Sequence, residues 1–173
     1  MVSNHTETVE KYISGLKKNG WLITHTKKIY SDGDFPEVFK KCPKAIKIFI
    51  CRMDVCANRT DDVWWLTPKI YLGIDEESAF KWNEFEIMSL ESADDQSPIL
   101  EYWQNVMPII QSVKDGYSYI GVVLGGGNAG AIIMAREPFF EEFDIIAEDF
   151  ESFLNLHLIA IENESESDLR NYV

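Results

Sequence analysis

The chain has 173 residues, 46% of them hydrophobic and 13% aromatic, and carries a formal net charge of −13 at pH 7. These totals predict one domain with a full core, and no run of the sequence approaches the ~20 apolar residues of a membrane-spanning helix. The strong acidity disfavours binding to nucleic acid or to anionic membranes.

The charge is distributed unevenly along the chain. Residues 1–60 have a net charge of +5, whereas residues 61–173 have a net charge of −18. An acidic surface of this kind attracts a basic partner, although solubility alone accounts for such a charge equally well.

The cysteines and the N-terminal residues both favour the cytoplasm. Cys42, Cys51 and Cys56 are an odd number with no histidine at ligand spacing, which favours buried free thiols over a zinc site. The opening sequence, MVSNHTETVEKY, has no basic segment followed by an apolar run, so no signal peptide is predicted. No pattern in the chain predicts a metal site or a cofactor.

The first sixty residues predict two helices and a weak strand. The spacing of the apolar residues predicts an amphipathic helix over Thr6–Asn19, and some alternation indicates a strand within Trp21–Tyr30. Pro43 is suited to the start of a second helix, and Arg52–Asp62 is interpreted as a polar loop. The lysines near Pro43 are interpreted as a solvated face rather than a nucleic-acid site, because no aromatic residues alternate with them. These lysines are Lys40, Lys41, Lys44 and Lys47.

The middle of the chain is less clearly patterned. Val63–Leu66 is predicted to be a short strand, Pro68–Ser78 is predicted to be irregular, and the second half of Ala79–Leu90 alternates like a strand. Ser97-Pro98 is a helix start signal, and that helix is expected to end at Pro108. Glu84 and Glu86 on the alternating segment are interpreted as surface acids rather than an acid/base pair.

The densest apolar pattern lies between residues 117 and 161. It predicts a buried strand over Tyr117–Leu124, a turn over Gly125–Gly130, a second strand over Ala131–Ala135 and a third run ending at Ala147. The spacing of the apolar residues then changes from every second residue to the 3.6-residue period of a helix, which predicts a helix that covers this three-stranded meander. The predicted buried face of the helix consists of Phe150, Phe153, Leu154, His157 and Ile161.

The glycine-rich turn allows a second interpretation. Gly125, Gly127 and Gly130 match the G-x-G-x-x-G pattern that binds the phosphates of dinucleotides. Pro138 would block the helix that should follow after barely two turns, and too little chain remains for repeated β-α units. A hairpin turn is therefore the favoured interpretation, and nucleotide binding is the alternative.

Taken together, the elements predict an α+β fold in which helices pack on a mostly antiparallel or mixed sheet. A single domain is expected over residues 1–161. Residues 162–173 are predicted to be an acidic, frayed tail, because their composition is polar.

Several segments, in the same order, resemble the SUKH superfamily, which is also called the SMI1/KNR4-like family. The similar segments are the Trp-bearing strand at Val63–Leu66, Phe80–Glu86 (FKWNEFE), Ile99–Trp103 (ILEYW) followed by Met107–Ile109 and Ser112–Tyr119, and Ile146–Leu154 (IAEDFESFL). The resemblance is clearest over residues 63–156, and each segment consists mostly of core and turn residues. It implies an α+β fold without shared catalytic residues, so none is predicted here.

The resemblance also implies a function. Many bacterial members of the superfamily are immunity proteins that neutralise a cognate polymorphic toxin, often a nuclease, by direct contact in the cytoplasm. We therefore expect a non-enzymatic protein that binds a basic protein toxin, with a regulatory scaffold or a nucleotide-binding protein as alternatives. The expected contact residues are exposed acids beside exposed aromatics: Asp75, Glu76, Glu77, Asp94, Asp95, Glu141, Glu142 and Asp144.

Overall fold

The computed structural model describes residues 2–75, 78–163 and 169–173, which form seven α-helices and seven strands. The helices are α1 (Val2–Lys18), α2 (Glu37–Lys41), α3 (Lys44–Ile50), α4 (Pro68–Tyr71), α5 (Glu84–Ser92), α6 (Ser97–Trp103) and α7 (Phe150–Glu162). The strands are β1 (Leu22–His25), β2 (Met53–Ala57), β3 (Val63–Trp65), β4 (Val106–Ser112), β5 (Ser118–Val123), β6 (Ile132–Arg136) and β7 (Phe139–Ala147).

The strands form one sheet in which the spatial order follows the chain, from β1 to β7. Each neighbouring pair is antiparallel. Short connections join β2 to β3 and each successive pair from β4 to β7, as antiparallel strands allow, whereas helices lie between β1 and β2 and between β3 and β4. The fold is therefore α+β with an antiparallel sheet, as predicted. This order leaves β1 and β7 as the two edge strands.

The larger core lies on the face of the sheet that α1, α3 and α7 cover. The apolar face of α1 is buried there with Trp65 of β3 and Phe153 of α7, and it consists of Val9, Tyr12, Ile13 and Leu16. Helix α1 approaches α7 so closely that a Cβ on Gly15 would lie 2.2 Å from Cδ1 of Leu158. A larger residue at this position would therefore force the Leu158 side chain to shift.

A smaller core lies on the opposite face of the sheet, beneath α5 and α6. Phe85 of α5 stacks on Phe140 of β7, with 4.7 Å between the ring centroids. Trp103 of α6 packs against Tyr119 of β5 at 5.2 Å, and Ile133 of β6 is buried in the same cluster. The sheet is therefore covered on both faces near β5, β6 and β7.

Residues 117–161, which hold the densest apolar pattern of the sequence, fold as predicted. The strands β5, β6 and β7 form the expected meander, and the expected face of α7 is buried. Asp149 caps α7, since its side chain accepts a hydrogen bond from the backbone N–H of Ser152 at 2.8 Å. These hydrogen bonds to Ser152 lower the pKa of Asp149.

Three predictions in the first half of the chain were wrong. Residues 68–78 are not irregular throughout, because α4 occupies Pro68–Tyr71. Residues 52–62 are not a polar loop, because β2 occupies Met53–Ala57 and pairs with both β1 and β3. Residues 79–90 do not contain a strand, because α5 begins at Glu84. Phe85 and Ser89 are the buried positions of α5, and their i, i+4 spacing is that of a helix face.

Two predictions about helix ends and the tail also require correction. Helix α6 ends at Trp103, and the central strand β4 begins at Val106. Pro108 lies within β4 where the register with β5 shifts, which is how a strand accommodates a residue without an N–H. The tail is not frayed over residues 169–173, where Leu169, Tyr172 and Val173 are buried.

Candidate functional site

The predicted contact residues lie in three separate places. Glu141, Glu142 and Asp144 are brought together on β7. Asp94 and Asp95 lie in the exposed loop between α5 and α6, where the Asp95 side chain accepts a hydrogen bond from the N–H of Ser97 at 3.0 Å. The remaining residues follow α4: Asp75 is half-buried and has interactions of its own, whereas Glu76 and Glu77 lie outside the described residues.

The backbone of β7 is unpaired on its outer side. Val123 of β5 exchanges hydrogen bonds with Gly130 and Ala131 at 2.8 and 3.0 Å. Because the bonding direction alternates along antiparallel strands, Met134 of β6 faces β7 and pairs with Asp144. The N–H and C=O groups of Phe143 and Ile145 therefore point away from the sheet, and no described backbone group pairs with them.

One side of β7 is joined to α6. The indole Nε1–H of Trp103 donates to Oε1 of Glu141 at 2.8 Å, and the ring of Phe143 lies 6.0 Å from that of Tyr102. Trp103 is buried, so Glu141 satisfies an indole N–H that would otherwise have no acceptor. Glu141 therefore has a structural role that sequence reasoning missed, since α6 and β7 are far apart in the chain.

The other side of β7 borders a groove of about 980 Å³. The groove runs between β7, α7 and residues 169–172, and it holds both acids and arginines. In the described chain, no ion pair joins the acids of β7 to these arginines. The groove is lined by the charged residues Arg136, Glu142, Asp144 and Arg170 and by apolar residues that include Leu156 and Ile159.

The exposed side chains of β7 combine apolar and acidic groups. Phe139, Phe143 and Ile145 are 61%, 40% and 50% exposed, and Glu142 and Asp144 are exposed beside them. The strand contains no basic residue between Phe139 and Ala147. An exposed apolar strand of this kind is typical of an interaction surface.

The opposite edge of the sheet is basic. Beyond β1, a groove of about 450 Å³ is lined by Lys27, Lys28 and Arg52, and the adjacent Ile29 is fully exposed. Glu10 also lines this groove and pairs with Arg52 at 3.0 Å. The two edges therefore differ in charge, since Lys27 and Lys28 lie beyond β1 whereas the charged side chains of β7 itself are all acidic.

The glycine-rich loop is a hairpin turn between β5 and β6. Gly126 and Gly130 have φ values of 76° and 93°, which suit glycine far better than other residues. The chain continues as the strand β6 rather than as a helix. The helix N-terminus that would bind a pyrophosphate in a dinucleotide-binding fold does not follow this loop.

Glu84 and Glu86 do not form a catalytic pair. They lie two positions apart on α5, so their side chains leave the helix in different directions. Partial burial raises the pKa of Glu86, which receives a 3.5 Å hydrogen bond from Asn83. Over the described residues, no group of three or more His, Cys, Asp or Glu side chains is arranged to hold a metal ion.

His157 is fully buried in the larger core, as predicted, and all its hydrogen-bonding capacity is used. Its Nε2 lies 2.6 Å from the carbonyl oxygen of Tyr172, which only accepts, so Nε2 carries the proton. Its Nδ1 accepts from the Tyr12 hydroxyl at 2.7 Å, and the Tyr12 oxygen accepts from Nε1 of Trp65 at 3.2 Å. Burial lowers the pKa of His157 to about 4.

The three cysteines are free thiols, and Cys42 and Cys56 are buried. Burial raises the pKa of Cys42 to about 12 and also raises that of Cys56, so neither is ionised at neutral pH. These buried thiols are structural residues of the core.

In the described part of the chain, no helix has the length and apolar character needed to cross a membrane. Comparison of the chain with known protein families, with curated proteins and with solved structures gave no match. The resemblance to the SUKH superfamily therefore stays a prediction, and β7 is the best-supported candidate site.

Proposed function

We propose that this chain is an immunity-type binding protein that neutralises a cognate protein toxin in the cytoplasm by direct contact. Two observations support the proposal. Several segments of the sequence, in the same order, resemble the SUKH superfamily. The structure presents an exposed acidic strand at one edge of the sheet. The second observation carries the argument, because it supplies a surface suited to a basic protein such as a nuclease.

The charge of β7 favours rapid association with a basic partner. Glu142 and Asp144 are exposed on the strand, and Asp94 and Asp95 are exposed elsewhere on the domain. Opposite charges on two proteins steer their encounter, and this steering weakens as salt screens the charges. We therefore expect a fast, salt-dependent association rate.

The apolar side chains of β7 supply the part of the surface that excludes water. Phe143 and Ile145 are each exposed on at least two fifths of their area, and Tyr102 lies against Phe143. Aromatic and aliphatic anchors surrounded by charged residues are typical of the centre of a protein interface. Glu141 accepts the hydrogen bond of Trp103 and so joins this part of β7 to α6.

A charge-reversal experiment tests which acids contact the toxin. Immunity genes of the resembled superfamily usually lie beside the toxin gene, so the product of the neighbouring gene is the partner to use. The double variant E142K/D144K should slow its association by a factor of ten or more at low salt. The control D34K/E37K changes the net charge by the same amount at exposed acids near the start of α2, outside the expected contact residues, and should slow association much less.

Two outcomes would contradict the proposal. An association rate that E142K/D144K leaves unchanged would remove β7 from the interface. Failure of the chain to rescue cells that express the neighbouring gene product would argue against toxin neutralisation and would favour a regulatory scaffold.

A further inference from the structure

We propose that β7 binds its partner by strand addition: an extended basic segment of the partner pairs with β7 and becomes an eighth strand of the sheet. This inference rests on the proposed function, because it uses the same site. It goes further by stating the conformation and the side-chain pattern of the segment that binds.

The backbone of β7 supplies the first part of the argument. Phe143 and Ile145 direct their N–H and C=O groups outward, and described backbone groups do not pair with them. This stretch is regular, because the register shifts in the β6–β7 pair fall on either side of it, at Ile132/Ile133 and at Ala135/Arg136. A partner strand can therefore lie at the usual ~4.8 Å spacing and form main-chain hydrogen bonds.

The side chains of β7 specify the sequence of the added strand. On one face of the sheet Glu142 and Asp144 line the groove, and no ion pair among the described residues joins them to Arg136 and Arg170 of the same groove. On the other face Phe143 contacts Tyr102. Directly opposite residues of paired strands interact, and opposite charges stabilise the pair. The partner segment should therefore carry lysine or arginine on the groove face and apolar residues on the α6 face, in alternation.

Pairing of β7 with β7 of a second copy is disfavoured by charge in the three registers centred on Glu142, Phe143 or Asp144. Two-fold pairing centred on Phe143 would place Glu142 opposite Asp144. Pairing centred on Glu142 or on Asp144 would place that residue opposite its own copy. Like charges directly opposite each other are destabilising, and this arrangement is typical of edge strands that do not pair with themselves.

Pairing with the basic β1 edge of a second copy is a weaker alternative. Strand β1 has only four residues, Leu22–His25. Its pairing with β2 is interrupted by a register shift between Thr24 and His25. A short, irregular edge offers few main-chain hydrogen bonds, so an extended segment of another protein fits β7 better.

Peptide binding tests strand addition directly. The probe is an acetylated and amidated peptide, Lys-Val-Lys-Phe-Lys-Val-Lys. Its first control has methyl groups on the three central backbone nitrogens, which keeps the charge and removes the donors. Its second control replaces each lysine by glutamate. Affinity is measured by calorimetry in 50 mM salt, and the amide signals of Phe143 and Ile145 are followed by NMR.

Strand addition predicts a specific set of results. The lysine peptide should bind and shift the amide signals of Phe143 and Ile145. The methylated and glutamate peptides should bind at least ten-fold more weakly. E142K/D144K should weaken binding at least ten-fold, whereas D34K/E37K, at exposed acids outside the expected contact residues, should leave it within about two-fold. Circular dichroism and thermal unfolding verify that each variant is folded.

Three results would overturn the inference. Equal affinity of the methylated and unmethylated peptides would show that charge acts without strand pairing, and the proposed acidic surface would stand. If the lysine peptide bound no more tightly than the glutamate peptide, the partner segment would not be basic. Concentration-dependent self-association of the protein, abolished by E142K/D144K, would assign the edge to a second copy. Rescue from the neighbouring gene product is scored separately, so failure of the proposed function is recognised independently.

Discussion

Replacing His157 by glutamine should remove much of the acid sensitivity of the fold. In the parent protein the histidine is neutral and buried, with Nδ1 accepting from Tyr12 and Nε2 donating to the carbonyl of Tyr172. Protonation would place a charge in an apolar core where no carboxylate is hydrogen-bonded to the ring, and burial accordingly lowers the pKa to about 4. A glutamine keeps a donor for Tyr172 and does not titrate.

The size of the effect follows from linkage. The unfolded chain binds a proton at His157 below its ordinary pKa of 6.5, whereas the folded chain binds it only below about 4. The stability that the neutral His157 side chain contributes is therefore fully present above pH 6.5 and is lost as the pH falls from 6.5 towards 4. The total loss is about 3 kcal/mol, and about 2 kcal/mol of it falls between pH 7 and pH 5.

Urea unfolding followed by tryptophan fluorescence measures this effect, since the chain has five tryptophans. H157Q should be less stable than the parent at pH 7, because the ring packing is lost. Between pH 7 and pH 5 it should lose about 2 kcal/mol less than the parent. The control is H25Q at an exposed histidine, which should follow the parent. Equal losses in H157Q and the parent would refute the assignment of the buried proton site.

Three further predictions concern the stability of single-residue variants, and urea unfolding measures the free energy of unfolding in each case. E141L should cost about 1–3 kcal/mol because it leaves the indole N–H of Trp103 without an acceptor, whereas E141Q retains an acceptor and should cost less. G130A should cost about 1 kcal/mol because Gly130 has a positive φ, whereas G127A, in open space, should stay within about 0.5 kcal/mol. Where G127V unfolds at the same urea concentration as the parent, nucleotide binding that it abolished would revive the phosphate-loop alternative. G15V should cost about 1–3 kcal/mol by overpacking the α1–α7 contact, and a neutral effect would show that this contact can relax.

The elements that were predicted correctly are those whose local pattern agrees with their burial. In β5, β6 and α7, every strong period in the sequence corresponds to a face that the fold buries. Strand β2 was missed because it is short and flanked by polar residues, and its pairing with β1 and β3 defines it. In α5, Phe85, Ile87 and Ser89 alternate like a strand, and packing against the second face of the sheet decides in favour of a helix.

The candidate site was only partly predictable. Exposed acids beside aromatics on the third run of the meander pointed to Glu141, Glu142 and Asp144. That β7 is an edge strand depends on the order of strands in space, which local patterns do not contain. The bond between Trp103 and Glu141 joins residues 38 positions apart. In the tail, Leu169, Tyr172 and Val173 have helical spacing but lie in a segment whose composition is polar.

The groove beside β7 allows strand addition to be separated from groove filling. The wall opposite β7 includes Arg170 and Tyr172. It is held by His157 and by the Tyr172 hydroxyl, which donates to the carbonyl of Tyr119 at 3.1 Å. Y172F removes the hydroxyl hydrogen bond to Tyr119 and so weakens this wall, but it leaves the outward backbone groups of β7 in place. A partner that pairs with β7 should therefore bind Y172F nearly as tightly as the parent at pH 7, whereas a partner that fills the groove should bind it several-fold more weakly.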